Sequence, residues 1–286
     1  MLGLIMVALA TLSAEVGTTI GKAESAAQKE SIFTMGFLNL MWGTLFMLSL
    51  AFLVPKDFFA AGFPGGFVFA AASLPTFIPR IFFEVLQLHV TLLAVVRAER
   101  STFGFLRIIT IPLLLVADIA LGYSVGVVQM IGIGLVALSL IFLFINHGIK
   151  RNGAFLVLFS AVNAVMTISL YKYDITHFNS VEAEQSIVML ILLTYCFVQA
   201  RLRECNPFPL LARPVFLLQS LASGGGSVLF SFAFLFGPAS VIVTAKRSFV
   251  ILWAMLSGNM YFHEKRLVIK VISLLLILAG LILLAF

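Results

Sequence analysis

Ten apolar stretches of membrane length follow one another along this chain, and so little lies between them that the stretches themselves must make the fold. They fall near residues 2–21, 32–54, 67–96, 102–119, 125–146, 153–171, 183–200, 214–236, 239–260 and 267–286. A bilayer core about 30 Å thick is crossed by roughly 20 apolar residues in helical form, because only a helix satisfies its own backbone polar groups in hydrocarbon. Composition points the same way. The chain is 62% hydrophobic and 10% charged, with a mean hydropathy of +1.14, whereas soluble domains run at about 45–50% apolar and about 25% charged. The expected fold is all-α and integral to a membrane, with ten transmembrane helices and no room for a soluble catalytic domain.

The breaks between stretches carry turn and charge chemistry: Lys22 to Glu30, Pro55-Lys56-Asp57 with Pro64-Gly65-Gly66, Arg97 to Arg100, His147 to Asn152, Lys172 to Asn179, and Arg201 to Pro214. Eleven lysines and arginines sit in loops after odd-numbered helices and two, Lys56 and Lys172, in loops after even-numbered ones. By the positive-inside rule the odd loops face the cytoplasm and both termini lie outside. That clustering also accounts for the net charge of +6 without a nucleic-acid partner. The opening run, Met1 to Ala14, ends like a signal peptide. It lacks a positive leader and continues to Lys22, so it reads as a retained helix. Cys196 and Cys205 have neither metal-ligand nor redox spacing and are expected to stay reduced.

Residues 94–145 and 233–286 share an order of parts. Setting Ser101 against Ser240 puts Arg107 on Lys246; after a two-residue insertion, Leu135, Leu140, Ile141 and Leu143 fall on Leu276, Leu281, Ile282 and Leu284. Two five-helix repeats are therefore expected, residues 1–148 and 149–286. Five spans per half force the second to enter the membrane from the opposite side, so the repeat is inverted, with a substrate site between the halves.

Charges inside the stretches mark candidate sites, since such residues normally face the bundle interior or a water-filled cavity. Glu15 lies roughly 20 Å along its helix, on one face with Thr11, Thr18, Thr19 and Lys22. It reads as a proton-coupling acid or as a buried acid that hydrogen-bonds a neighbouring helix. Arg80 needs a counter-charge, and Glu84 one turn later offers it. Pro75 and Pro79 interrupt that helix, and broken helices at membrane depth line cavities. At the 139-residue offset, Gln219, Ser220, Ser223 and Gly224-Gly225-Gly226 occupy the matching level of the eighth helix. Arg80, Glu84, Gln219 and Ser223 are thus candidate substrate contacts, against the alternative of a structural ion pair and close helix packing at the glycines. Lys246 and Arg247, some eight residues into the ninth helix, are further candidates. Arg107 reads as a snorkelling end residue, Asp118 and Glu264 as solvated or capping groups, and His89 as a hydrogen-bonded core residue. No metal-ligand set, cofactor motif or catalytic spacing is present.

With these residues in place the chain resembles the drug/metabolite transporter superfamily, specifically its ten-helix EamA-type members, over essentially its whole length. The resemblance rests on architecture, on Arg97-Ala-Glu-Arg-Ser-Thr with Pro112 in the fourth helix, and on Gly237-Pro-Ala-Ser leading to His263-Glu264; the first half has Gly122-Tyr123 where the matching glutamate would fall. Ser13-Ala-Glu-Val-Gly-Thr-Thr-Ile-Gly-Lys22 resembles the Ala-Glu-Val-x-Gly-Thr segment of the small multidrug resistance branch, one residue short. That likeness implies a proton-exchange role for Glu15. The expectation is a secondary-active transporter working by alternating access, a proton-coupled exporter in the bacterial inner membrane. Arg80, Lys246 and Arg247 lean its small polar or amphipathic substrate toward anionic or zwitterionic metabolites. Its partners are that substrate and the lipid bilayer, and a homodimer is compatible with it. The alternatives are a cationic drug exporter, an intramembrane lipid-modifying enzyme, and a membrane scaffold that transports nothing.

Overall fold

Residues 1–25, 32–53, 66–98, 106–145, 152–262 and 267–286 are described by a computed structural model, in which each apolar stretch carries one helix. In chain order these are α1 (Leu2–Ser25), α2 (Ile32–Leu53), α3 (Leu74–Arg97), α4 (Thr110–Ala120), α5 (Val127–Ile145), α6 (Ala154–His177), α7 (Val181–Leu202), α8 (Pro214–Ala233), α9 (Ala239–Phe262) and α10 (Leu267–Leu284). No strand occurs among the described residues. Five segments there are long and apolar enough to cross a membrane: Ile32–Leu53, Ala71–Ala94, Ala154–His177, Val181–Leu202 and Pro214–Phe236. Polarity is inverted relative to a water-soluble bundle. Ile78, Phe82, Val116, Leu138 and Phe155 are exposed, while Arg80, Asp118, Asn163, Asp174, Glu182 and Glu184 are buried. Such a surface suits hydrocarbon, and the protein is an all-α membrane protein.

Two element boundaries depart from the sequence expectation. Residues 67–70 are not helical, and α3 follows a 3₁₀ turn at Ala71–Ser73. Pro75 falls in the first turn of α3, where its missing N–H costs nothing, so only Pro79 interrupts the helix interior. The non-helical segment is held by the α6–α7 turn: Ser180 N–H donates to the Val68 carbonyl at 2.9 Å, and Val68 N–H donates to Ser180 Oγ at 3.1 Å. At the other boundary, the expected break from Lys172 is instead the last turns of α6, which runs to His177. Lys172 is buried and donates through Nζ to the Phe234 carbonyl at 2.6 Å. It is therefore not a loop cation.

The helices pair as α1 with α8 and α9, α2 with α7 and α8, α3 with α6 and α7, α4 with α6 and α9, and α5 with α10, and α9 also packs on α5 and α10. Small residues allow the closest approaches. A Cβ on Gly224 of α8 would stand 2.5 Å from Gly43 N of α2, and one on Gly226 would stand 2.7 Å from the Ala10 carbonyl oxygen of α1. Gly132 of α5 and Gly280 of α10 meet in the same way, each within contact of the other's backbone. In lipid, where apolar surface gains little from helix association, such close packing carries much of the cohesion.

Gly225, between the two critical glycines, has open space where its Cβ would go. We expect Gly224→Ala and Gly226→Ala each to destabilise the detergent-solubilised protein by about 1–3 kcal/mol through overpacking. Gly225→Ala should leave its melting temperature essentially unchanged. Fluorescence-monitored size exclusion after graded heating measures the contrast.

Candidate functional site

A fully buried guanidinium organises the polar interior. Arg80 of α3 is 1% exposed and bonds the Glu184 carboxylate of α7, while its second terminal nitrogen stands 3.9 Å from Glu84. Its plane lies over the Tyr171 ring of α6, 4.4 Å from the ring centre. The sequence expectation paired Arg80 with Glu84; the structure makes Glu184 the first partner and Glu84 the second. Helical spacing finds only partners on the same helix, and α7 supplies a closer and fully buried carboxylate.

The turn between α6 and α7 builds the rest of this cluster. Ser180 caps α7, accepting from Ala183 N–H at 3.2 Å and donating to the Gly66 carbonyl at 2.7 Å. Asn179 donates through Nδ2 to Glu184 Oε2 at 2.9 Å and accepts from Ala70 N–H at 3.0 Å. Thr76 of α3 donates to Asp174 Oδ1. One guanidinium thus faces three carboxyl groups, those of Glu84, Asp174 and Glu184. Two turns along α3, a neutral polar group continues the α3–α6 seam. Asn163 donates to the Phe83 carbonyl at 2.8 Å and to Gln87 Oε1 at 2.9 Å, and Gln87 donates to Ser160 at 3.2 Å.

A second cluster is cationic. Arg107, just before α4, and Lys246 and Arg247 of α9 lie close enough to repel one another. Arg107 and Lys246, set against each other in the sequence alignment, are thus neighbours in space. Lys246 Nζ sits 3.6 Å from the centre of the Phe230 ring of α8. The two clusters are bridged by aromatic rings. Tyr171 meets Phe234 edge-on at 5.4 Å, and Phe234 meets Phe230 edge-on at 5.0 Å, giving a run from Arg80 through three rings to Lys246. Edge-to-face pairs and cations over ring faces are both favourable geometries, most so away from water.

The remaining candidates lie at other interfaces. Gln219 is buried on α8 and donates to Asn39 of α2 at 3.4 Å, while Ser223 packs against Gly17 of α1. Glu15 is half-buried on α1 and already engaged with neighbours. Of its expected stripe, Thr11 accepts from Trp253 Nε1 at 3.0 Å; the side chains of Thr18, Thr19 and Lys22 lie outside the described residues, as does Glu264. Asp118 caps α9 by accepting from Ala239 and Ser240 N–H at 3.3 and 2.7 Å, and His89 bonds the Tyr195 hydroxyl. An apolar cleft of about 530 Å³ lies between α4 and α6, lined among others by Ala117, Leu121, Val165, Met166 and Thr76. Among the described residues no His, Cys, Asp and Glu group could hold a metal.

Asp174, Asn179 and Glu184 escaped sequence reading because the first two fell in an assumed loop and the third at a helix start, where an acid is normally solvated. The available signal was charge balance, since a buried Arg80 demands carboxylates from somewhere.

No protein-family model matches the chain, and no curated protein does. It superposes on a protein of known crystal structure with a TM-score of 0.72 at 13% identity, covering 98% of each chain. At that identity the likeness speaks for the fold alone, an arrangement of these helices that nature uses more than once.

Breaking the Arg80–Glu184 pair from one side strands a buried charge. We expect Glu184→Gln to cost about 3–5 kcal/mol and the double change Arg80→Gln with Glu184→Gln to recover most of it. Glu84→Gln, on a longer and partly exposed contact, should cost much less. Thermal unfolding of the three purified variants measures the ranking.

Proposed function

We propose that the protein is a ten-span secondary transporter of the drug/metabolite transporter superfamily, EamA type. Its inverted five-helix repeats are residues 1–148 and 149–286, and it works by alternating access as a proton-coupled exporter in a bacterial inner membrane. The observation that carries this reading is the set of helix pairs. Exchanging every helix for the one five places away turns α1–α8 into α6–α3, α1–α9 into α6–α4 and α2–α8 into α7–α3, and it leaves α2–α7, α4–α9 and α5–α10 as they are. The larger contacts thus map onto one another, with the α9 contacts to α5, α6 and α10 left over; a two-fold relation between halves produces such a mapping, and transporters place their substrate along such an axis.

The cationic cluster points to the substrate class. Arg80 is neutralised by Glu184, so it contributes less positive potential than its charge implies. Arg107, Lys246 and Arg247 take over that role, at a place where α4 and α9, equivalent helices, meet. Lys246 and Arg247 are adjacent cations in low dielectric, an arrangement that an approaching anion relieves, and guanidinium groups match carboxylate and phosphate geometry. The substrate is accordingly a small organic anion or zwitterion. A cationic drug would meet this cluster unfavourably. An intramembrane lipid-modifying enzyme is the second reading, favoured by the apolar cleft between α4 and α6, which has the size for an acyl chain. Enzyme chemistry would form product in detergent without a gradient.

A thermal-shift screen of the purified protein against amino acids, organic acids, sugar phosphates and cationic dyes tests the proposal. Organic acids or sugar phosphates should raise the melting temperature, and Lys246→Gln or Arg247→Gln should abolish the rise while leaving the unliganded protein folded. Stabilisation by cationic dyes alone would overturn the anionic assignment. Gradient-independent turnover of a lipid would replace the transporter with the enzyme.

A further inference from the structure

The acidic side of the Arg80 cluster holds a feature that ion pairing does not explain. Asp174 is fully buried, and while its Oδ1 accepts from Thr76, its Oδ2 has no donor. Its neighbour in the cluster is the Glu184 carboxyl. Glu184 is itself fully buried, with its two oxygens taken by Arg80 and by Asn179 Nδ2. Two ionised carboxylates cannot bond each other, and at this separation in low dielectric they repel strongly. One proton between them converts the repulsion into a short, charge-assisted hydrogen bond.

The surroundings fix how much charge must be removed. From α3 come Arg80 and Glu84; from α6 come Asp174, Tyr171 and His177, the last exposed; from α7 comes Glu184; and the Tyr123 phenol approaches from the turn after α4. With Tyr171 and Tyr123 neutral and the buried Lys172 turned to the Phe234 carbonyl, Arg80 is the buried cation that stands against the three carboxyl groups. The geometry points to Asp174 and Glu184 as a built proton-binding site, the two carboxyl groups sharing one proton that Arg80, Asn179 and Thr76 hold in place. The pair joins α6 to α7 across their turn, and Thr76 and Arg80 tie both to α3. Release of the proton therefore loosens a three-helix junction. That this proton, rather than one on Glu15, drives transport rests on the transporter reading above; the proton site itself does not.

Infrared difference spectroscopy of the full-length protein in nanodiscs, titrated in H₂O and in D₂O without any added solute, reads the proton directly. The expected result is a protonated-carboxyl C=O band at neutral pH that shifts on deuteration. It should be absent in both Asp174→Asn and Glu184→Gln and present in Glu15→Gln. Asp174→Asn keeps an acceptor for Thr76. If Glu184→Gln does not fold, Arg80→Gln with Glu184→Gln removes the stranded charge and replaces it. Absence of the band from the parent protein overturns the proposal, as does its survival in either variant, or its loss in Glu15→Gln alone. Because no solute or gradient is used, the band can behave as expected in a protein that transports nothing, which would leave the proton site and remove the transporter.

Discussion

A guanidinium in the middle of an apolar bundle cannot be left alone, and the arrangement around Arg80 follows from that constraint. An unpaired arginine at this depth costs at least about 2.5–3.5 kcal/mol on insertion scales. Glu184 supplies the counter-charge from α7 and Tyr171 covers the guanidinium face from α6. The pairing of α3 with α6 and α7 is therefore enforced by electrostatics as well as by packing. The α6–α7 turn then has to hold Glu184 at the right height, which Ser180 and Asn179 do by binding residues 66–70 ahead of α3. Removing the arginine would leave the α3–α6–α7 junction with three carboxyl groups and no counter-charge against them.

The opposite side of the bundle is built on another principle. Around α8, cohesion comes from the absence of side chains: Gly224 admits α2 and Gly226 admits α1, so that backbone meets backbone and dispersion contacts replace charge. Two polar bonds there, Ser13 Oγ to the Ala222 carbonyl at 2.7 Å and Ser220 to the Leu38 carbonyl, use hydroxyls that satisfy themselves against the backbone, and a longer one joins Gln219 to Asn39. These two helix pairs are thus held by unlike chemistry. α3 with α6 is polar and ion-paired; α8 with α1 is small and close-packed.

Legibility in the sequence followed this difference. Hydropathy located the long helices among the described residues because the requirement that backbone groups bond internally acts on each segment by itself. The glycine run was readable as close packing for the same local reason. Arg80 was readable as a buried charge in need of a partner, but which acid would meet it depends on which helices touch, and that is set by topology. Proximity along the helix favoured Glu84, whereas Glu184 is 104 residues distant in sequence. The end of α6 was misjudged because Lys172, Asp174 and His177 resemble a solvated loop. Only the Phe234 carbonyl and Thr76, both remote in sequence, reveal why helix continues through them.

The two charge clusters are mechanically connected through one short stretch of α8 and its extension. Tyr171, under Arg80, donates to the Ser231 carbonyl at 2.9 Å and packs edge-on against Phe234; Lys172 holds the Phe234 carbonyl; and Lys246 lies over Phe230. Residues 230–234 are therefore gripped by the acidic cluster on one side and touched by the cationic cluster on the other. Ser231 and Phe234 share this short stretch with the Phe230 ring against which Lys246 rests, so an unbroken path of contacts runs from Arg80 to the cations. A path of this kind is only as stiff as its connector. Three rings in edge-to-face register, each with two torsions and little freedom to repack in a dense interior, provide one.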